Sequence, residues 1–143
     1  MTTSASTSAA TPAGTRPGKA ANIALWVVQI LLALAFVGAA SGKLLGNPDM
    51  VGLFEAIGVG QWFRYLTGLL ELTGAILIVV PRTKFLGAAL LSMVMVGAVM
   101  THLLILHNAP TAPAVLLLLA GIVAWGRRAG LRPVLARFGL VTS

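Results

Sequence analysis

Four apolar stretches, each near the length a helix needs to cross a bilayer, take up most of this 143-residue chain. They cover residues 23–45, 62–80, 85–106 and 110–126. At 1.5 Å of rise per residue the first reaches roughly 33 Å, enough for the hydrocarbon core. One small soluble domain cannot hide four such stretches, because a chain of this size buries only a limited share of its surface. A content of 58% hydrophobic and 9% charged residues points the same way. The expected fold is an all-α membrane protein: a four-helix transmembrane bundle, residues 22–126, with a short interfacial helix between spans 1 and 2.

The segments between and around the spans carry their own signals. Residues 1–21 are Ser, Thr, Ala, Pro and Gly with little apolar content, and read as a disordered tail. The basic residues Arg16 and Lys19, the apolar run and Gly38-Ala39-Ala40 imitate a signal peptide. The length of that run, and the three spans after it, favour a membrane crossing. Asn47-Pro48-Asp49 reads as a helix start: an N-cap, a proline at the first helical position and an acid that the helix dipole favours. Met50, Leu53, Phe54 and Ile57 follow at helical spacing, and Gly58 ends the turn, so this helix is expected to lie across the bundle mouth. Span 4 is short unless residues 110–113 join its first turn. Residues 127–143 bring Arg127, Arg128, Arg132 and Arg137 together with Leu131, Val134, Leu135 and Phe138, a basic amphipathic tail.

The net charge is +7. In a soluble protein that would suggest nucleic acid. Here the cations gather at the ends of apolar stretches, so the expected partner is anionic lipid at the cytoplasmic face of the bilayer, with no nucleic acid. With four spans, the N-terminal tail, the Arg82/Lys84 turn and the C-terminal tail share one side and hold eight of the ten Lys and Arg. The positive-inside rule then places both termini in the cytoplasm of a multi-pass inner (plasma) membrane protein. No cysteine is present, which removes disulfides, thiol relays and thiolate metal sites.

Glu71 stands near the middle of span 2, where a carboxylate is costly and turns toward protein or trapped water. At about 100° per residue, Arg64, Thr67, Gly68, Glu71 and Ala75 form one stripe, and Arg64 lies roughly 10 Å of rise from Glu71. Lys43 enters from the end of span 1, and Thr101 and His102 lie near the same end of span 3. Lys43, Arg64, Glu71, Thr101 and His102 are therefore the candidates for a ligand or proton site, with Glu71 ionised and paired. The plainer reading is that Lys43 and Arg64 snorkel to headgroups and that Glu71 with Arg64 fixes helix register. Gln29, in span 1, is expected to bond across helices. Gly38, Gly42, Gly68 and Gly74 are the expected close-packing positions. His102 and His107 point to different faces, so no metal site is expected. The chain shows no nucleotide-binding pattern and no Ser-His-Asp set.

Ser41-Gly42-Lys43-Leu44, then Phe54 and Ile57-Gly58, then Gly68-Leu69-Leu70-Glu71-Leu72-Thr73-Gly74-Ala75, then Gly97-Ala98 with Thr101-His102-Leu103, resemble the DoxX family of small membrane proteins, in its DoxX-like branch. The resemblance covers about residues 34–125 and implies a four-span bundle. It also implies an accessory or anchoring subunit of a membrane redox complex. The family takes its name from a small subunit associated with thiosulfate:quinone oxidoreductase, and other members accompany soluble redox enzymes. Lys43 and Glu71 match the family's blocks. The absence of cysteine and of a cofactor motif speaks against independent thiosulfate chemistry, and the chain is not expected to be an enzyme by itself. The leading expectation is thus a subunit that binds quinone or another small hydrophobic molecule near Glu71, alongside a soluble redox partner or a second copy of itself. The alternatives are a small proton-coupled transporter with Glu71 as carrier, or a membrane enzyme using Glu71 and His102 on a lipid-soluble substrate.

Overall fold

The computed structural model describes residues 17–140, and every regular element among them is helical. The helices are α1 (Lys19–Leu44), α2 (Pro48–Ile57), α3 (Gln61–Val79), α4 (Lys84–Leu104), α5 (Thr111–Arg127) and α6 (Leu131–Arg137). Four helical segments are long and apolar enough to cross a membrane: α1, α3, α4 and the stretch Thr111–Gly130. The tail expected over residues 1–21 lies outside the described residues as far as Arg16. Its last residues differ from expectation, because α1 begins at Lys19: Ala20 and Ala21 are strong helix formers, and the Gly18 carbonyl accepts the Asn22 amide at 2.9 Å. Residues 110–113 do enter the fourth span's first turn. Pro110 is the N-cap and Pro113 is buried within that turn, where its missing amide costs nothing.

The four long helices form a ring in which α1 packs on α3, α3 on α4, α4 on α5, and α5 closes against α1. Short links make sequence neighbours antiparallel. The link from α3 to α4 is a tight turn in which the Thr83 hydroxyl caps the Leu77 carbonyl at 3.0 Å. Leu32, Phe36, Ala75, Ile78, Ala88, Leu91, Met95, Ala120 and Val123 make one apolar core. Large side chains such as Leu31, Leu34, Leu69, Met93 and Leu118 point outward instead, a continuous apolar belt that water would not tolerate and that acyl chains match.

Glycines set how closely the ring closes. A Cβ on Gly87 would fall 2.3 Å from the Ile78 amide nitrogen, so α4 crosses α3 backbone to backbone there. A Cβ on Gly74 would meet Leu91 at 2.5 Å, and one on Gly68 would meet Leu44 at 3.1 Å and Lys43 Cβ at 3.2 Å. Gly42 makes only ordinary contact with Met50 at 3.8 Å. Gly38 is a correction to the expected set of close-packing positions: nothing in the chain lies within 4 Å of its Cβ position, because α1 turns that side outward.

Gly87→Ala should destabilise the bundle by about 3 kcal/mol, the upper range for overpacking, since the obstacle is backbone. Gly97→Ala, where an added Cβ meets nothing within 4 Å, should be neutral or slightly stabilising. Thermal unfolding of the two variants in one detergent checks this; equal melting temperatures would contradict the close α3–α4 crossing.

Candidate functional site

Along α3 the buried positions are Arg64, Gly68, Glu71, Gly74, Ala75 and Ile78, one stripe at helical spacing that faces the ring's interior. Glu71 is only 2% exposed. A carboxylate so placed needs a cation, and the end of α1 provides it. Lys43 Nζ donates to Glu71 Oε1 at 3.1 Å and to Oε2 at 2.9 Å. The missing side chain at Gly68, one turn before Glu71, makes that reach feasible by letting the last turn of α1 settle on α3.

Arg64 does not pair with Glu71. Its Nη1 donates to the Lys43 carbonyl, its Nε donates to Gln61 Oε1 at 2.7 Å, and its guanidinium lies over the Tyr65 ring, 4.3 Å from the centroid. The Lys43 carbonyl is one of the last four of α1, which have no partner within the helix. Gly46, at φ 74°, turns the chain out of α1, and the Asn47 amide returns to the Gly42 carbonyl at 2.9 Å. The guanidinium therefore completes the C-cap of α1. Gln61 in turn donates to the Val51 carbonyl of α2 at 3.1 Å. Arg64 and Gln61 together lock the ends of α1, α2 and α3 around the residue whose ammonium holds Glu71. Gln61 was not singled out from the sequence; its place as first residue of α3, beside an expected surface helix, is the only hint there.

α2 is the interfacial helix expected between the first two spans. Asn47 Oδ1 accepts the Asp49 amide at 2.9 Å, and Gly58 closes the helix in the left-handed conformation at φ 77°. Its inward residues Met50, Leu53, Phe54 and Ile57 form one wall of a cavity of about 560 Å³. The rest of that wall is apolar, from Phe36, Phe63, Leu70, Val94, Met95 and Leu116 among others, apart from Lys43, Thr67, Glu71, Thr101 and His102. Of the five candidate site residues, four thus line one cavity, and Arg64 stands behind it.

Hydrogen bonding already spends part of this polar set. The Thr67 hydroxyl is turned back on its own helix, 3.0 Å from the Phe63 and Arg64 carbonyls, and the Thr101 hydroxyl donates to the Gly97 carbonyl at 2.8 Å. His102 Nδ1 lies 2.6 Å from Asn108 Oδ1; with that oxygen as acceptor, Nδ1 carries a proton, and in the neutral ring Nε2 is then the acceptor. An ammonium has three protons, and the Glu71 carboxylate takes at most two. One donor at Lys43 and acceptors at Glu71 and His102 Nε2 therefore remain for a guest. Among the described residues, no group of three or more His, Cys, Asp or Glu is placed to hold a metal ion.

A second polar cluster lies at the far end of the bundle, around a residue the sequence assigns to the tail. Arg127 ends α5 and is 5% exposed. Its Nε donates to Gln29 Oε1 at 2.8 Å and its Nη1 to Asn22 Oδ1 at 2.6 Å, while Gln29 Nε2 donates to the Ile78 carbonyl at 2.6 Å. The available signal is Gln29, since an amide inside a span needs partners from other helices; which basic residue meets it is seen only in the fold.

Breaking the Lys43–Glu71 pair from either side should cost about 3–5 kcal/mol, because the other charge stays buried alone. Lys43→Met and Glu71→Leu together should cost far less than the sum of the two single changes. Unfolding of the four proteins in detergent, read as a double-mutant cycle, checks this; additive costs would mean that the two side chains do not depend on each other.

A family model described as the DoxX-like family matches residues 27–125. The matched stretch contains Lys43, Arg64, Glu71, Thr101 and His102, and stops two residues before Arg127. No curated protein and no solved structure matches the chain.

Proposed function

This chain belongs to the DoxX-like family, and on that premise we propose that it is a membrane subunit that holds a small lipid-soluble molecule, of the quinone class, in the cavity beside Glu71. The observation that carries the reading is the cavity itself: about 560 Å³ of apolar volume with one ion pair on its wall. A buried ion pair needs further hydrogen bonds to offset its desolvation. Here the pair faces open volume, so its unused hydrogen-bonding capacity is available to a guest.

The guest that fits has an apolar body and a small head able both to accept and to donate. A quinone carbonyl accepts the third Lys43 proton. The hydroxyl of the reduced form donates to His102 Nε2 or to a Glu71 oxygen. An isoprenoid chain runs out past the α2 residues or between helices into the bilayer, which needs no polar partner. The family resemblance adds the second half of the proposal, that the subunit anchors or serves a soluble redox enzyme at the membrane. The charge distribution supports an orientation with both termini in the cytoplasm of an inner (plasma) membrane: with four crossings, eight of the ten Lys and Arg fall in the segments that would share that side.

The test uses full-length protein purified in mild detergent, with decylubiquinone as probe. Native mass spectrometry should show one retained quinone per chain, and melting temperature should rise with added probe; at 100 times the Kd the stabilisation is about 2.7 kcal/mol. The Lys43→Met/Glu71→Leu double variant should bind at least about tenfold more weakly while still folding. Gly97→Leu, which adds bulk at a cavity wall where a Cβ meets nothing within 4 Å, should also weaken binding. Undiminished binding by both variants would move the quinone elsewhere; no binding by the wild type would remove the reading.

A further inference from the structure

The far end of the bundle collects positive charge that no carboxylate side chain among the described residues neutralises. Arg127 Nη2 is buried and has no hydrogen-bond partner among the described residues. The Lys84 ammonium and the Arg127 guanidinium approach the same indole, each 5.6 Å from the centroid of the Trp26 ring. Lys84 is also the first residue of α4, whose N-terminus has no side-chain cap. The helix dipole thus adds a third source of positive potential at that place. The only carboxylate side chains in the chain are Asp49, Glu55 and Glu71. Two of them sit on α2 at the opposite end, and the third is held by Lys43 about two turns of α3 away from Ile78. Arg127 is also anchored by two neutral amides, Gln29 and Asn22, which orient it without cancelling its charge.

We infer that Arg127 and Lys84, against the Trp26 ring, form a binding site for a phosphate oxyanion. Arg127 supplies the fork: Nη2 has no partner among the described residues and Nη1 spends one of its two hydrogens on Asn22, so the Nη1–Nη2 edge can meet two phosphate oxygens. Lys84 supplies the second charge and the access. Its side chain makes no hydrogen bond among the described residues, so it is free to swing off the indole and close over the anion. The bound phosphate completes the hydrogen bonding of a guanidinium that the fold otherwise leaves charged and unsatisfied. Trp26 stands where indole rings lie in membrane proteins, at the level of the headgroups, and this gives an anionic phospholipid the matching depth. A free phosphate ion offers the same chemistry, and the experiment separates the two sources.

Full-length protein is reconstituted into nanodiscs of phosphatidylcholine alone or mixed with phosphatidylglycerol, then released for native mass spectrometry. Wild-type protein should retain one phosphatidylglycerol per chain and melt at a higher temperature in the mixed discs. Lys84→Gln, which removes no hydrogen bond and no core contact, should fold normally in phosphatidylcholine and lose phosphatidylglycerol about tenfold, the effect of one charge-assisted contact. Arg127→Lys keeps the charge but not the fork and should lose it as well. Arg132→Gln removes one charge from the exposed face of α6 and should leave retention unchanged. Equal losses in Lys84→Gln and Arg132→Gln would overturn the site and leave only diffuse attraction to basic residues. Retention unaffected by Lys84→Gln would overturn it too. Inorganic phosphate in the millimolar range that raises the melting temperature of wild type, but not of Lys84→Gln, and displaces the lipid would support the site and assign it to the free ion.

Discussion

An ammonium and a carboxylate meeting inside a ring of apolar helices govern how the rest of this bundle is put together. Neither charge could stay there alone, since an unpaired ion in such surroundings costs several kcal/mol. The pair is formed by residues 28 apart in sequence, so it fixes the end of α1 against the middle of α3. Everything nearby serves that contact. Gly68 removes the side chain that would hold the helices apart, Gly46 turns the chain immediately after the last helical turn, and Arg64 captures the Lys43 carbonyl so that backbone and side chain are held together. α2 then lies across the opening, tied by Gln61.

The two ends of the ring solve the problem of buried polarity in different ways. Near α2, Lys43 and Arg64 stand among the three carboxylates Asp49, Glu55 and Glu71, and Lys43 pairs with Glu71 directly. At the other end a single guanidinium is held by amides, and the layer of Leu32, Ile78, Leu91 and Val123 lies between the extremes. Among the described residues a net positive charge thus remains at the Arg127 end only. In a bilayer this asymmetry gives the molecule a direction, because cations resist translocation and anionic headgroups reward their retention. Both polar clusters also tie α1 to a later helix, Lys43 to α3 and Asn22 with Gln29 to α5. Without a hydrophobic force between helices in lipid, such contacts and the glycine crossings supply much of the specificity of packing.

Hydropathy made the spans legible, since length and apolarity are what a bilayer demands, and the Asn-Pro-Asp start made α2 legible for reasons local to seven or eight residues. Arg64 was less readable. Periodicity put it on the same stripe as Glu71, and the stripe is real, but an orphan carbonyl at the end of α1 lay closer than a carboxylate two turns along. No pattern within α3 could reveal that carbonyl, which depends on where α1 stops. Gly38 shows the converse error: small-xxx-small spacing marks a surface that permits close approach, yet says nothing about whether a neighbour uses it. Arg127 failed for a third reason. A basic residue just past an apolar run ordinarily belongs to the interface, and only the partner requirements of Gln29 distinguish it from its exposed neighbour Arg128.

An ion pair is weak evidence of stability, because apolar side chains of similar volume would hold the same helices as well or better. That weighs on the Lys43–Glu71 contact more than on most. Leu70, Val94 and Leu116 line the same cavity, and one more pair of apolar side chains could fill part of that space. The chain instead keeps two costly groups on the wall of a cavity. Packing alone gives no reason for either choice, since a cavity forfeits dispersion contacts and a buried pair forfeits hydration. The two costs make sense together if the cavity is filled for part of the protein's working life by something that both occupies volume and satisfies the remaining donor and acceptors. The geometry then explains why Lys43 comes from a helix end and Glu71 from a helix middle. A head group reaching the pair would do so beside α2, which the turns at Gly46 and Gly58 bound and which Gln61 and the Phe54–Phe63 contact hold to α3.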